Sequence, residues 1–190
     1  MKVTIGDKEI VNGCLKQDKE SFRWLFKKHS PWMLGICQRY CQNRNDAQDV
    51  LQECLVKVFK SIKNFQYQSD AQFVSWLKRI VVNTSLNYLR DKAKDKLISM
   101  DDSDMHLNIS EEETNYDQQE PVSQEYLLEL INKMPAGYRA VFNMYVFEKM
   151  THKEIASELN ISENTSKTQL LKARNFLKNK ISESVKTLSI

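Results

Sequence analysis

Asp70 to Lys94 reads DAQFVSWLKRIVVNTSLNYLRDKAK, and the two faces of this stretch decide the fold and most of the function. At a period near 3.6, Phe73, Trp76, Leu77, Ile80, Val81, Thr84 and Tyr88 fall on one stripe, which predicts a helix docked on a core. The opposite face carries Lys78, Arg79, Asn83, Asn87 and Arg90, with Lys92 and Lys94 beyond and Asp91 as its one carboxylate. Guanidinium, ammonium and carboxamide groups in that arrangement suit phosphates and exposed base edges. A solvated basic face would look the same in isolation, so the choice rests on the rest of the chain.

A chain of 190 residues, 41% hydrophobic and 28% charged, has room for one domain or two small ones. Four glycines and three prolines are too few for many tight-turned strands, and the abundance of Leu, Lys, Glu, Gln and Asn favours helices. The expected fold class is therefore all-α. The apolar runs are a handful of residues long, and MKVTIGDKEI at the N-terminus has no apolar core or small-residue cleavage site. A cytoplasmic location is expected. The net charge is only +3, yet Asp101 to Glu120 holds eight acids and no base, so the remainder carries +11. A basic body split by an acidic tract presents strong local fields, which act over about 10 Å at moderate salt.

The cysteines Cys14, Cys37, Cys41 and Cys54 all lie in the first third. Cys37 and Cys41 are four apart on a helical pattern, but no second pair at ligand spacing completes a zinc site. They read as buried reduced thiols and small apolar core residues.

Before the opening stretch, Lys8–Lys16 and Lys19–Lys28 read as short amphipathic helices, and Ser30-Pro31 marks either a helix start or a kink in a longer helix. Asp46 to Phe59 has the clearest period in the chain: Ala47, Val50, Leu51, Cys54, Leu55, Val58 and Phe59. Its outer face runs from Gln48, Asp49, Gln52 and Glu53 to Lys57 and Lys60, an order that complements the helix dipole. In the loop Lys63–Ser69, Phe65 is expected to plug the core, while Tyr67 is open to either core packing or base stacking. From Asp95 to Val122 periodicity vanishes and the acidic, polar composition reads as a flexible linker. Residues 1–95 and 123–190 then form two small helical domains, with 96–122 between them.

In the second domain, Leu127, Leu128, Leu130 and Ile131 mark one helix and Tyr138, Val141, Phe142, Tyr145 and Val146 another. THKEIASEL at Thr151–Leu159 is a short third helix, Asn160 suits a left-handed turn, and Ser162 can cap a fourth helix over Glu163–Lys180. This is helix-turn-helix spacing, whose second helix enters a major groove. Leu170, Ala173 and Leu177 face inward. Lys172 and Arg174 are then candidates for phosphates, Lys167 and Thr168 for base edges, and Leu171 for a thymine methyl.

Three motifs in this order resemble the extracytoplasmic-function (ECF) group of sigma-70-type RNA polymerase sigma factors over nearly the full length. DAQDVLQECLVKVF at Asp46–Phe59 is similar to the family's core-polymerase-binding helix, and FVSWLKRIVVNTSLNYLR at Phe73–Arg90 to its minus-ten recognition and melting helix. GYRAVFNMYVFEKMTHKEIASELNISENTSKTQLLKAR at Gly137–Arg174 is similar to its minus-thirty-five domain. The resemblance implies that Asp46, Asp49, Gln52 and Glu53 dock on core polymerase. It also implies that Arg79, Asn83, Asn87 and Arg90 meet the minus-ten strand, with Asn83 the first choice for a base. Lys167, Thr168, Gln169, Leu171, Lys172 and Arg174 are then the minus-thirty-five set. The implied partners are core RNA polymerase, promoter DNA as duplex and as non-template single strand, and an anti-sigma factor. Neither a cofactor, a metal, a small-molecule substrate nor a catalytic residue is implied.

Three residues depart from the commonest family pattern. Asn160 replaces a turn glycine, Gln169 a frequent arginine, and Ser166 an inward valine whose burial contributes about 1.5–3 kcal/mol. A stand-alone helix-turn-helix regulator would account for Gly137–Lys180 but not for the basic Asn- and Arg-bearing helix. An enzyme would recruit Asp46, Asp49 and Glu53. No Gly-rich phosphate loop or nucleophile motif accompanies them, and His29, His106 and His152 stand in unrelated contexts.

Overall fold

A computed structural model describes residues 5–97 and 123–188, with side chains through 92 and 184. Almost all of the expected linker, 96–122, lies outside the described residues. The described residues are all-α, without strands. By its contacts the chain divides into two compact units, Met1–Arg90 and Asp91–Ile190.

The first unit holds α1 (Asp7–Leu15), α2 (Lys19–Tyr40), α3 (Arg44–Ser61), a short 3-10 turn (Ile62–Asn64) and the start of α4 (Asp70–Leu97). The starts are set by local polar chemistry. Asp18 caps α2 by accepting from the Ser21 amide at 2.8 Å, and Asn43 caps α3 by accepting from the Asp46 amide at 2.8 Å. Each such cap is worth about 1 kcal/mol. Of the two readings of Pro31, the longer helix is the one formed: α2 runs through it, and Pro31 is exposed, so the carbonyl it leaves without a donor can meet water. The core gathers Ile10, Val11, Leu25, Met33, Ile36, Val50, Leu51, Val58, Phe73, Leu77 and Val81. Cys14, Cys37, Cys41 and Cys54 are free thiols buried among them. Burial, with the Asp18 carboxylate nearby, pushes the Cys14 thiol up to about 11.

The buried arc of α4 is wider than the one stripe read from its period: Val82, Ser85, Leu86 and Leu89 are buried as well. The reason is contact on two sides. The Phe73 ring meets the His29 ring of α2 edge-on at 5.5 Å, and Tyr88 reaches Asp46 of α3. Phe65 is half-buried rather than a core plug: its ring packs 4.7 Å from Trp76 and 5.4 Å from Phe73, at the edge of the core.

The second unit holds α5 (Gln124–Lys133), α6 (Ala136–Phe142) continued by a π-helical turn (Asn143–Phe147), α7 (His152–Leu159) and α8 (Glu163–Leu188). Thr151 and Glu154 form a capping box at α7, the Thr151 amide donating to the Glu154 carboxylate at 2.8 Å. Asn160 ends α7 at φ 55° and ψ 47°, the left-handed conformation expected of it. Ser162 caps α8, accepting from the Thr165 amide at 2.9 Å. On α8 the inward stripe is Leu170, Ala173 and Phe176, and Leu177 is only half-buried. At about 100° per residue Leu177 stands about 40° from Ala173 on one side and Phe176 about 60° on the other, so helical spacing alone favours Leu177, and the burial of Phe176 comes from its packing.

Candidate nucleic-acid interface

The four α3 residues read as one docking set do not share one environment. Asp49, Gln52 and Glu53 are exposed. Asp46 is half-buried, and its Oδ2 accepts from the Tyr88 hydroxyl at 2.6 Å and from Asn43 Nδ2 at 2.8 Å. Glu53 pairs with Lys57 at 2.6 Å, one turn on, and Lys57 Nζ also donates to Thr84 Oγ1 of α4 at 3.2 Å. The Thr84 hydroxyl in turn donates to the Ile80 carbonyl at 2.8 Å. Asp46 at one end and Lys57 at the other thus brace α3 against α4.

That bracing presents the polar face of α4. Arg79, Asn83, Asn87 and Arg90 are exposed, and the first three recur every fourth residue, so they lie one above another. From Arg79 to Arg90 the face is about 16 Å long, the reach of several nucleotides. Arg90 Nη1 donates to Asn87 Oδ1 at 3.0 Å, which holds that guanidinium along the helix. Lys78 is half-buried.

Beside Arg79 opens a cleft of about 620 Å³, with Asn64, Gln66, Gln68, Gln72 and Trp76 on its walls. Carboxamides supply both donors and acceptors there, and the Phe65–Trp76 pair supplies an aromatic surface. A planar group with hydrogen-bonding edges fits such a lining. No period reveals it, because half of the wall comes from the irregular segment after α3. The Gln- and Asn-rich run from Asn64 to Gln72 is the one signal that could have. Tyr67 stands half-buried with its hydroxyl bonded to the Asp70 carboxylate, which pushes the phenol up to about 12.

On α8, Lys167, Thr168, Leu171 and Arg174 are exposed. Lys172 is half-buried with its ammonium 5.9 Å over the Tyr138 ring, and the Arg174 guanidinium lies 5.8 Å over Tyr145. Gln169 is half-buried against Gly137, where an added Cβ would come within 3.2 Å of Gln169 Nε2. It is therefore turned toward the start of α6. Ser166 is fully buried, and its hydroxyl meets His152 Nδ1 at 2.9 Å. Among the described residues, no cluster of three His, Cys, Asp or Glu side chains can hold a metal, and no helix is long and apolar enough to cross a membrane.

Residues 25–95 match the family described as Sigma-70 region 2, and residues 124–177 match Sigma-70, region 4. The ECF RNA polymerase sigma-E factor of Haemophilus influenzae is 26% identical over 188 residues, 95% of this chain and 98% of that one. The RNA polymerase sigma-H factor of Pseudomonas aeruginosa is 25% identical over 88% of this chain and 90% of its own. A solved structure, CnrH in complex with the cytosolic domain of CnrY, matches with a TM-score of 0.50 over 93% of this chain and 97% of that one, at 17% identity, a likeness of fold. The polar face of α4 from Arg79 to Arg90 and the helix-turn-helix through Arg174 fall within these two matched regions, and sigma-E and sigma-H factors align along almost the whole chain. It belongs to the extracytoplasmic-function group of the sigma-70 family and is an RNA polymerase sigma factor.

Proposed function

We propose that the chain divides promoter recognition between its two ends, residues 1–95 and 123–190, with 96–122 as the connection. The exposed carboxylates and amides Asp49, Gln52 and Glu53 of α3 dock on core polymerase, and Asp46 serves that surface by bracing it. The polar face of α4 takes the non-template strand of the minus-ten element. Extruding a base costs a few kcal/mol, and stacking and edge contacts in a fitted cleft, about 1–3 kcal/mol each, offset that cost. Asn83 reads a base edge, Arg79 and Arg90 hold phosphates, and Asn87 fixes Arg90. The cleft beside Arg79 receives the extruded base.

At the other end, Lys167, Thr168 and Leu171 of α8 face the bases of the minus-thirty-five duplex while Lys172 and Arg174 neutralise phosphates. Gln169, turned toward α6, supports the helix and touches no DNA. Bond-making belongs to the polymerase, so the chain needs no catalytic residue, cofactor or small-molecule substrate, and it works where the polymerase does, in the cytoplasm. CnrH forms a complex with the cytosolic domain of CnrY, and a protein partner, an anti-sigma factor as the family resemblance implies, fits this chain too.

The observation that carries this reading is the row Arg79, Asn83, Asn87 and Arg90 beside an amide-lined cleft. The test combines the purified chain with bacterial core polymerase on mixed genomic template, mapping transcript starts and probing unpaired thymines upstream. Defined starts with an opened bubble, weakened by Asn83→Ala more than by Lys8→Ala, are expected. Stable duplex binding without core association or opening overturns it in favour of a stand-alone regulator.

A further inference from the structure

Ser166 places a hydroxyl at the buried centre of the helix-turn-helix, where it has no exposure to water. Its partner comes from the other helix of the motif: His152 Nδ1 lies 2.9 Å from Ser166 Oγ. His152 is the first residue of α7, and its ring stacks on Tyr145 of the π-helical turn, with centroids 4.7 Å apart and planes inclined by 25°. The guanidinium of Arg174, about two turns along α8 from Ser166, lies over the same Tyr145 ring at 5.8 Å. The contacts close a circuit from α8 through His152 and Tyr145 back to α8.

Position 166 seats α8 when it and its neighbour on α7 are matched. A valine would do so by apolar contact with an apolar partner, whereas the buried serine needs its hydrogen bond, which weakens steeply once the angle falls below about 120° or the atoms separate beyond about 3.2 Å. A serine without that partner shifts the helix to find another. Ser166 directly precedes Lys167 and Thr168, both exposed, so the rotation chosen at 166 sets where those two side chains point. Arg174, held over Tyr145, is set by the same ring that carries His152.

We infer that His152 is a positioning residue for duplex recognition, acting through Ser166 and Tyr145 to fix the rotational seat of α8 and so to aim Lys167, Thr168 and Arg174. The inference rests on α8 being the helix that reads the minus-thirty-five duplex.

The test uses full-length chain in holoenzyme and two probes, a promoter fragment from a mapped start and the same fragment with its minus-thirty-five segment scrambled. His152→Phe keeps a ring for Tyr145 and leaves the Ser166 hydroxyl without its partner. The wild type is expected to prefer the intact fragment, and His152→Phe to lose about tenfold of that preference at a temperature well below its unfolding. His152→Phe/Ser166→Val, in which both partners are apolar, is expected to recover it, since a buried pair replaced on both sides leaves nothing unsatisfied. The double variant also keeps the test decisive if the single one folds poorly. Unchanged preference in His152→Phe with only a lowered melting temperature overturns the inference, and so does failure of the folded double variant to recover, which would mean that His152 touches DNA itself. A wild type indifferent to scrambling overturns the reading of α8 and the inference together, a result distinct from either of these.

Discussion

The phenol of Tyr88 on α4 donates a 2.6 Å hydrogen bond to the Asp46 carboxylate in the first turn of α3. That carboxylate also accepts from Asn43 Nδ2 at 2.8 Å, while Asn43 Oδ1 caps the Asp46 amide at 2.8 Å. One side chain thereby ties the start of α3 to the helix that carries Asn83. In the proposed function these two faces meet different partners at the same moment, and this bond fixes their mutual position inside the first unit.

Tyr88→Phe is expected to lower stability by about 1 kcal/mol, the usual net worth of one hydrogen bond. Asp46→Ala removes two accepted bonds and is expected to cost about 2 kcal/mol. Urea midpoints of the two variants measure this. If Asp46→Ala leaves the midpoint in place and weakens binding to core polymerase, Asp46 belongs to the docking surface after all.

Asp49→Ala and Gln52→Ala should behave in the opposite way. Both residues are exposed, so unfolding is expected to move by no more than about 0.5 kcal/mol, while affinity for core polymerase falls roughly tenfold for each if they sit at the centre of the contact. Glu53 pairs with Lys57 in the open, and such a pair contributes under about 1 kcal/mol, so Glu53→Gln tests docking rather than folding. Equilibrium binding in low and raised salt, beside melting curves, separates the two effects.

Two glycines make a matched pair. A Cβ on Gly13 would stand 1.8 Å from Ser21 Oγ and 2.6 Å from Ser21 Cβ, whereas one on Gly35 meets nothing within 4 Å. Ser21 cannot retreat freely, because its hydroxyl and amide both bond to Asp18. Gly13→Ala is therefore expected to destabilise by about 1–3 kcal/mol and Gly35→Ala to stabilise by up to about 1 kcal/mol through helix propensity. Thermal unfolding of the two variants should shift in opposite directions.

These contacts also show what a sequence can and cannot disclose. The left-handed Asn160 and the cap at Ser162 are local, spanning three or four residues, and both were readable from residue type and spacing. The bond from Tyr88 to Asp46 spans 42 residues, and periodicity says only that a side chain faces inward, not what it meets there. Asp46 therefore looked equivalent to Asp49. Gln169 looked equivalent to Lys167 for the same reason, and only the packing against Gly137 separates them. Ser166 read as a lost valine, and its partner His152, an isolated histidine in the sequence, becomes meaningful only once α7 and α8 lie together.

The last prediction concerns acid. Asp7 of α1 is buried, and its Oδ1 lies 2.8 Å from both Lys28 Nζ and His29 Nε2 of α2. Trp32 Nε1 donates to His29 Nδ1 at 3.2 Å, so the imidazole proton sits on Nε2 and points at the carboxylate. Burial raises the Asp7 pKa, but the hydrogen bonds from Lys28 and His29, with the positive field of Lys28, together outweigh it and hold the group below its ordinary 3.8. A carboxyl with a depressed folded-state pKa binds fewer protons folded than unfolded. Its contribution is thus complete above the unfolded value and is lost as pH falls through the folded one. Asp7→Asn should be less stable than wild type at pH 7 by about 1–3 kcal/mol, and the gap should close as pH drops below about 4. Taking the difference between the two urea midpoints at each pH cancels the other carboxylates, which titrate alike in both proteins. A gap that stays constant from pH 7 into acid would mean that the carboxylate charge is not what holds α1 to α2.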